Sequence, residues 1–185
     1  MIDELKFLSE LELLKRKKRE GFRTGGVERP HSIAEHSFIV AHLARIIAFH
    51  EEADVDKCMR MALCHDLGEA RVGDHDKVVK KYCGRQIKEE TEAIVDQVSV
   101  LEKKMGEEMI SLFIEKEERK TKEAVVVQDA DWLENALQCK IYLERGYKEF
   151  ARWLQNLKDI LQTETAKNLL KQLMEIENFV SYYNQ

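Results

Sequence analysis

Across 185 residues the chain holds one proline, Pro30, and eight glycines, so long stretches run without a residue that forces the backbone out of a helix. Within them apolar residues recur at i, i+3, i+4 and i+7, the spacing of one helical face, and no period-2 strand pattern persists. The expected fold class is all-α, a helical bundle. Helices are expected over 2–18, with Ile2, Leu5, Leu8, Leu11 and Leu13 or Leu14 as the stripe, and from about Ile33, where Ser32-Ile33-Ala34-Glu35 matches a capping box. Asp54 is a plausible cap for a third helix, whose apolar face takes in Val55, Cys58, Met59, Ala62 and Leu63. Further helices are expected over 85–104 and 106–120, from a Thr121 cap to about Arg145 with Gly146 as stop, and over 147–161 and 164–183. Glu20–His31, with three glycines and the proline, reads as a loop that belongs to a site or lies across one.

The length suits one domain over residues 1–185. A net charge of -5 argues against a nucleic-acid surface, and the basic run Lys15-Arg16-Lys17-Lys18-Arg19 reads first as a solvated helix end. Cys58, Cys64, Cys83 and Cys139 form no C-x-x-C pair and are expected as reduced thiols. The acidic, amphipathic Met1–Lys6 is unlike a signal peptide, and no uncharged apolar run reaches the length of a membrane span. A cytoplasmic protein with no membrane partner is the expectation.

Four polar residues sit on or beside apolar helix faces: His36, His65, Asp66 and Asp131. A lone core histidine is usually just hydrogen-bonded, and a lone buried aspartate is often a cap or half of an ion pair. Together they are harder to dismiss, because ionised carboxylates buried without compensation cost several kcal/mol each. A divalent ion is the compensating charge that suits two imidazoles and two carboxylates. Nitrogen and oxygen donors without thiolate favour Mn, Co or Mg, with Ni, Fe and Zn also admitted, and they leave coordination positions open for water or substrate.

The order His36, then His65-Asp66, then Asp131 in an all-helical chain resembles the HD-domain metal-dependent phosphohydrolases. The strings Ala34-Glu35-His36-Ser37, His65-Asp66-Leu67-Gly68-Glu69-Ala70 and Val72-Gly73-Asp74 are similar to those of its 5'-deoxynucleotidase branch, over about residues 10–145. The resemblance implies that His36, His65, Asp66 and Asp131 hold the metal, and that Glu69 is the acid/base or water-orienting group. It implies that Asp74 contacts the sugar or a second metal, and that Arg19 orients the phosphate with the Phe22 ring near the sugar. Relatives often carry Trp where this chain has Phe22. Lys77 is a candidate phosphate contact in a solvated loop, while Arg71, Trp132 and Glu134 are taken as structural.

The implied function is hydrolysis of (deoxy)nucleoside 5'-monophosphates to nucleoside and phosphate. The alternatives are an HD phosphohydrolase acting on a cyclic nucleotide, a nucleoside triphosphate or an alarmone, and a catalytically silent HD scaffold that binds a nucleotide or partner. Relatives of this kind commonly form homodimers, and the apolar residues of the last two helices offer either a dimer surface or an ordinary core stripe.

Overall fold

The computed structural model describes residues 2–179; the side chain of Ile2 and residues 180–183 of the expected last helix lie outside the described part. Helix α1, Ile2–Leu14, stops short of residue 18 because the chain turns to meet the start of α3, Ile33–His50. Ile33 N–H donates to the Lys17 carbonyl at 3.0 Å and Arg19 N–H to the His31 carbonyl at 3.2 Å. That pairing splits the basic run. Lys15 stays in solvent beside Glu12, whereas the Arg19 side chain turns inward and is 13% exposed. The expected loop then opens with a short helix, α2, Glu20–Thr24, which seats the buried ring of Phe22. Gly25 follows because the space is taken: a Cβ there would stand 2.6 Å from Cζ of Phe150.

Three helices make the centre, since α3 packs on both α4, Val55–Cys64, and α9, Lys122–Glu144. Val40, Ala44 and Ile47 of α3 meet Cys58, Met61 and Ala62 of α4 and Val126, Val127 and Ala130 of α9, all fully buried. Alanines at the crossings bring the backbones close, and each fully buried Val, Ile or Met contributes about 1.5–3 kcal/mol of transfer free energy. The capping box at Ser32 and Glu35 is present, and Asp54 and Thr121 accept the backbone N–H groups of Lys57 and Ala124. Leu63, expected on the α4 core face, is 55% exposed, and Met61 fills the core instead.

After α4 the chain continues through His65–Gly68 into one turn of helix, α5, Glu69–Val72. Gly68 in this segment is helical in φ and ψ and packs tightly: a Cβ would lie 2.8 Å from the Glu90 carbonyl oxygen. Asp76 caps a helix the sequence pattern left as loop, α6, Lys77–Cys83. Helices α7, Ile87–Val98, and α8, Lys103–Glu118, pack together. Next come α10, Phe150–Asn156, a 3₁₀ turn at Leu157–Asp159, and α11, Glu164–Glu175. Buried Asp129 on α9 accepts from the Gln162 and Thr163 N–H groups and the Thr163 hydroxyl, which fixes the start of α11. Leu154, Leu157, Leu161, Leu170 and Leu173 belong to the chain's own core, the ordinary stripe rather than an open surface.

Candidate metal centre

His36 stands in the first turns of α3, His65 and Asp66 directly after α4, and Asp131 midway along α9, so three packed helices bring these four side chains into one neighbourhood. The His36 Nε2 lies 3.3 Å from His65 Nε2, 3.5 Å from Asp66 Oδ2 and 3.4 Å from Asp131 Oδ1. His65 Nε2 lies 3.2 Å from Asp66 Oδ2. Adjacent donors bonded to one ion at about 2.0–2.2 Å are separated by roughly 3.0–3.4 Å. One donor atom from each of His36, His65 and Asp131 lies within 4.8 Å of the others, close to what a single divalent ion requires, and Asp66 Oδ2 stands against the two imidazoles of that group. His65 and Asp66 meet there because the pair sits in the turn after the helix, not on its face.

Tautomers agree with that reading. The His65 Nδ1–H donates to the Ala62 carbonyl at 2.7 Å, and a carbonyl only accepts, so Nε2 is left as a lone-pair donor. The His36 Nδ1–H donates to Glu134 Oε2 at 2.5 Å. Burial and the Arg19 charge oppose a proton on His36, yet Glu134 and Asp131 outweigh them and push its pKa up to about 9. A pocket that draws a proton this strongly onto an imidazole also draws a metal cation, which would replace that proton. Burial acts against ionisation of Asp66 and Asp131, but His65, Arg19 and His36 around the first, and His36 and Lys116 around the second, hold both well below the usual carboxylate range. The donor set therefore fits a divalent metal.

Glu134, set aside as structural from the sequence, is 1% exposed. Burial opposes its charge, but His36 and His31 hold its pKa down at about 2. Its Oε1 faces His31 Nε2 at 3.6 Å, and Tyr142 Oη lies 3.4 Å from His31 Nδ1. The signal was readable: Glu134 is three residues after Asp131, on the same side of a helix. Gln128 and Asn135 donate to the two oxygens of Asp131 at 3.1 and 3.3 Å, a support the sequence reading missed. Arg71, also set aside as structural, ties α5 to Glu10 and Asp96.

The other named residues divide between two adjoining chambers, which share Arg19, Lys80, Trp132 and Asn135 in their walls. The inner one, about 370 Å³, holds His65, Asp66, Asp131 and Glu69. Burial, with Asp66 and Asp74 beside it, pushes the Glu69 carboxyl well above its ordinary value, and its Oε2 has no hydrogen-bond partner. Arg19 spans both chambers, its Nη1 3.2 Å from Asp66 Oδ2 and its Nε 4.0 Å from Asp74 Oδ2. Burial disfavours its charge, but Asp74, Asp66, Glu69 and Asp131 outweigh this and keep it firmly a cation. Lys116, unmarked by the sequence reading, lies buried at the inner chamber beside Glu117.

The outer chamber, about 410 Å³, takes in Asp74 and Lys77. Asp74 Oδ2 accepts from the Glu20 N–H at 2.7 Å, which ties it to α2. Lys77 opens α6 as an exposed residue of that wall. Phe22 is 1% exposed, its ring packed against those of His31, Tyr142, Phe150 and Trp153 at centroid distances of 5.2 to 5.8 Å.

The HD domain family model matches residues 11–174. The chain is 36% identical over 158 residues to the 5'-deoxynucleotidase HDDC2 of Dictyostelium discoideum, covering 80% of this chain and 82% of that protein. Against the human 5'-deoxynucleotidase HDDC2 the identity is 32% over 147 residues, covering 78% of this chain and 70% of that protein. A conserved hypothetical protein from Pyrococcus furiosus superposes with a TM-score of 0.77 at 26% identity, covering 93% of this chain and 99% of that one.

Proposed function

The chain belongs to the HD domain family, and from that premise we propose that it is a metal-dependent 5'-deoxynucleotidase, hydrolysing deoxynucleoside 5'-monophosphates to nucleoside and phosphate. The observation that carries the reading is the gathering of the His36, His65, Asp66 and Asp131 donor atoms beside the Arg19 guanidinium, with a second chamber adjoining whose far wall is apolar. A charged phosphate suits the first part and an uncharged nucleoside the second.

His36, His65, Asp66 and Asp131 would hold the ion, with Mn, Co or Mg as the proposed metals. When bound, such an ion acidifies water and withdraws charge from phosphoryl oxygen. The chain's own groups supply the rest. Arg19 neutralises and orients the phosphate through its fork of donors. Glu69, buried and biased toward its protonated form, is placed to hold the proton that the leaving 5'-oxygen needs and to take one from water on the return. Asp74, oriented by the Glu20 N–H, offers its second oxygen to a sugar hydroxyl. Lys77 belongs to the outer chamber alone, so its proposed contact is with the nucleoside side of the substrate. Phe22 acts from behind, by holding the ring cluster that backs that chamber.

Phosphate release from a panel of ribo- and deoxyribonucleoside 5'-monophosphates, with Mn, Co, Mg, Ni, Fe and Zn in turn, tests the reading. Metal-dependent release from the monophosphates supports it. Turnover of cyclic nucleotides or triphosphates with none from monophosphates would overturn it.

A further inference from the structure

Arg19, Lys80, Trp132 and Asn135 line both chambers and so stand where the two adjoin. Away from that boundary the outer chamber changes character. Its far wall comes from α10 and the turn that follows, where Trp153, Leu157 and Ile160 present carbon rather than charge, and the Asn156 carboxamide stands among them. Trp153 is braced by two rings, edge-on against Phe150 at 5.1 Å and tilted against Phe22 at 5.8 Å, and it lies over Gly21, where a Cβ would meet the indole at an ordinary contact distance of 3.6 Å. The ring remains partly exposed, and neither its indole N–H nor the Asn156 side chain forms a hydrogen bond within the described residues. A braced aromatic surface with unused polar groups is suited to a flat, uncharged, heteroaromatic ligand.

We infer that the outer chamber is a nucleobase subsite, in which Trp153 is the stacking surface, Leu157 and Ile160 complete the apolar wall, and Asn156 supplies the hydrogen bonds at the far end. The assignment rests on reading the inner chamber as the phosphate site. It deepens that reading by naming the residues that separate a nucleotide from any other small phosphomonoester. Every base has a π face, and one carboxamide can turn to offer either a donor or an acceptor. The subsite therefore demands a base while tolerating all four.

The experiment compares deoxynucleoside 5'-monophosphates with 2-deoxyribose 5-phosphate, which keeps the phosphate and sugar and lacks the base. Binding of free deoxyadenosine is followed by calorimetry without added metal. For the native protein the base should lower KM about tenfold or more, as the loss of one stacking contact implies. Trp153→Ala should raise KM for all four deoxynucleotides by that factor with little change in kcat, leave KM for deoxyribose 5-phosphate in place and abolish deoxyadenosine binding; Trp153→Phe should restore most of the loss. Because Trp153 also braces Phe150, Ile160→Glu is the second variant: Ile160 is 40% exposed, so the fold tolerates the change, and the new charge should raise KM for nucleotides alone. Equal KM for nucleotide and deoxyribose 5-phosphate in the native protein, or equal loss on both in the variants, would overturn the base subsite and leave the phosphomonoesterase reading standing. Failure of the native protein to hydrolyse either ester and to bind deoxyadenosine would remove both.

Discussion

The two chambers of the cleft are built by different means. In the inner one, His36 is backed by Glu134, His65 by the Ala62 carbonyl, Asp131 by Gln128 and Asn135, and Asp66 by Arg19. In the outer one the far wall is set by the packing of rings on α2, α9 and α10, with Phe22 meeting Tyr142, Phe150 and Trp153. Hydrogen bonds fix direction, whereas apolar packing fixes volume and permits adjustment. A centre that must hold one geometry for reaction uses the first, and a wall that meets substrates of different outline uses the second.

That contrast breaks first at Asp66. Asp66→Ala removes a metal donor and the partner of Arg19 together, so phosphate release should fall by about a thousandfold or more while far-UV circular dichroism stays that of a helical protein. Retained turnover would show that the inner chamber is not the reacting centre. Glu134→Gln is the subtler change. It keeps shape and removes the charge that fixes the His36 Nδ1–H, so metal affinity should weaken by about ten- to a hundredfold. Excess metal should then restore kcat, which loss of packing alone would not allow.

The outer chamber answers to volume. Gly25→Ala would drive a methyl into the buried Phe150 ring, whose Cζ is 2.6 Å from the new Cβ. Overpacking of this kind costs roughly 1–3 kcal/mol, seen as a lower Tm, with metal affinity unchanged because no donor is touched. A variant that lost metal and kept its Tm would reverse the comparison.

Much of the inner chamber was legible in the sequence, and less of the outer. His36, His65, Asp66 and Asp131 stand out because polar residues on apolar faces demand an explanation, and helix periodicity tells which face is apolar. Arg19 was ambiguous: within Lys15–Arg19 it reads as one more solvated cation, and only the pairing of Lys17 and Arg19 with the start of α3 turns it inward. Helix α2 hid among three glycines because its cause is the burial of Phe22, a tertiary contact with no local pattern. Trp153 carried no signal either, since an aromatic at helical spacing looks like core until the structure shows which part of its ring remains exposed. Glu134 stands three residues from Asp131, a spacing the sequence shows, but its partner, His36, lies 98 residues away and only the fold brings the two together.

The smallest effect expected lies at the edge of the inner chamber, where Glu90 has no such support. Burial, then the charges of Asp66 and Glu117, push its carboxyl up to about 7. In the unfolded chain the same group titrates near 4.5, so below that pH both states hold the proton and Glu90 costs nothing. As pH rises from about 4.5 to 7 the unfolded state loses its proton while the folded state keeps it, so the stability contributed at low pH is lost, and above 7 the penalty is constant. Glu90→Gln should therefore leave Tm unchanged near pH 4 and raise it through that interval. Because the group is partly solvated, the gain at pH 8 should be about 1 kcal/mol, roughly 2–4 °C in the metal-free protein. A gain that was the same at pH 4 and pH 8 would mean that packing, not charge, separates the two residues. A loss at pH 8 would mean that Glu90 has a partner in the inner chamber after all.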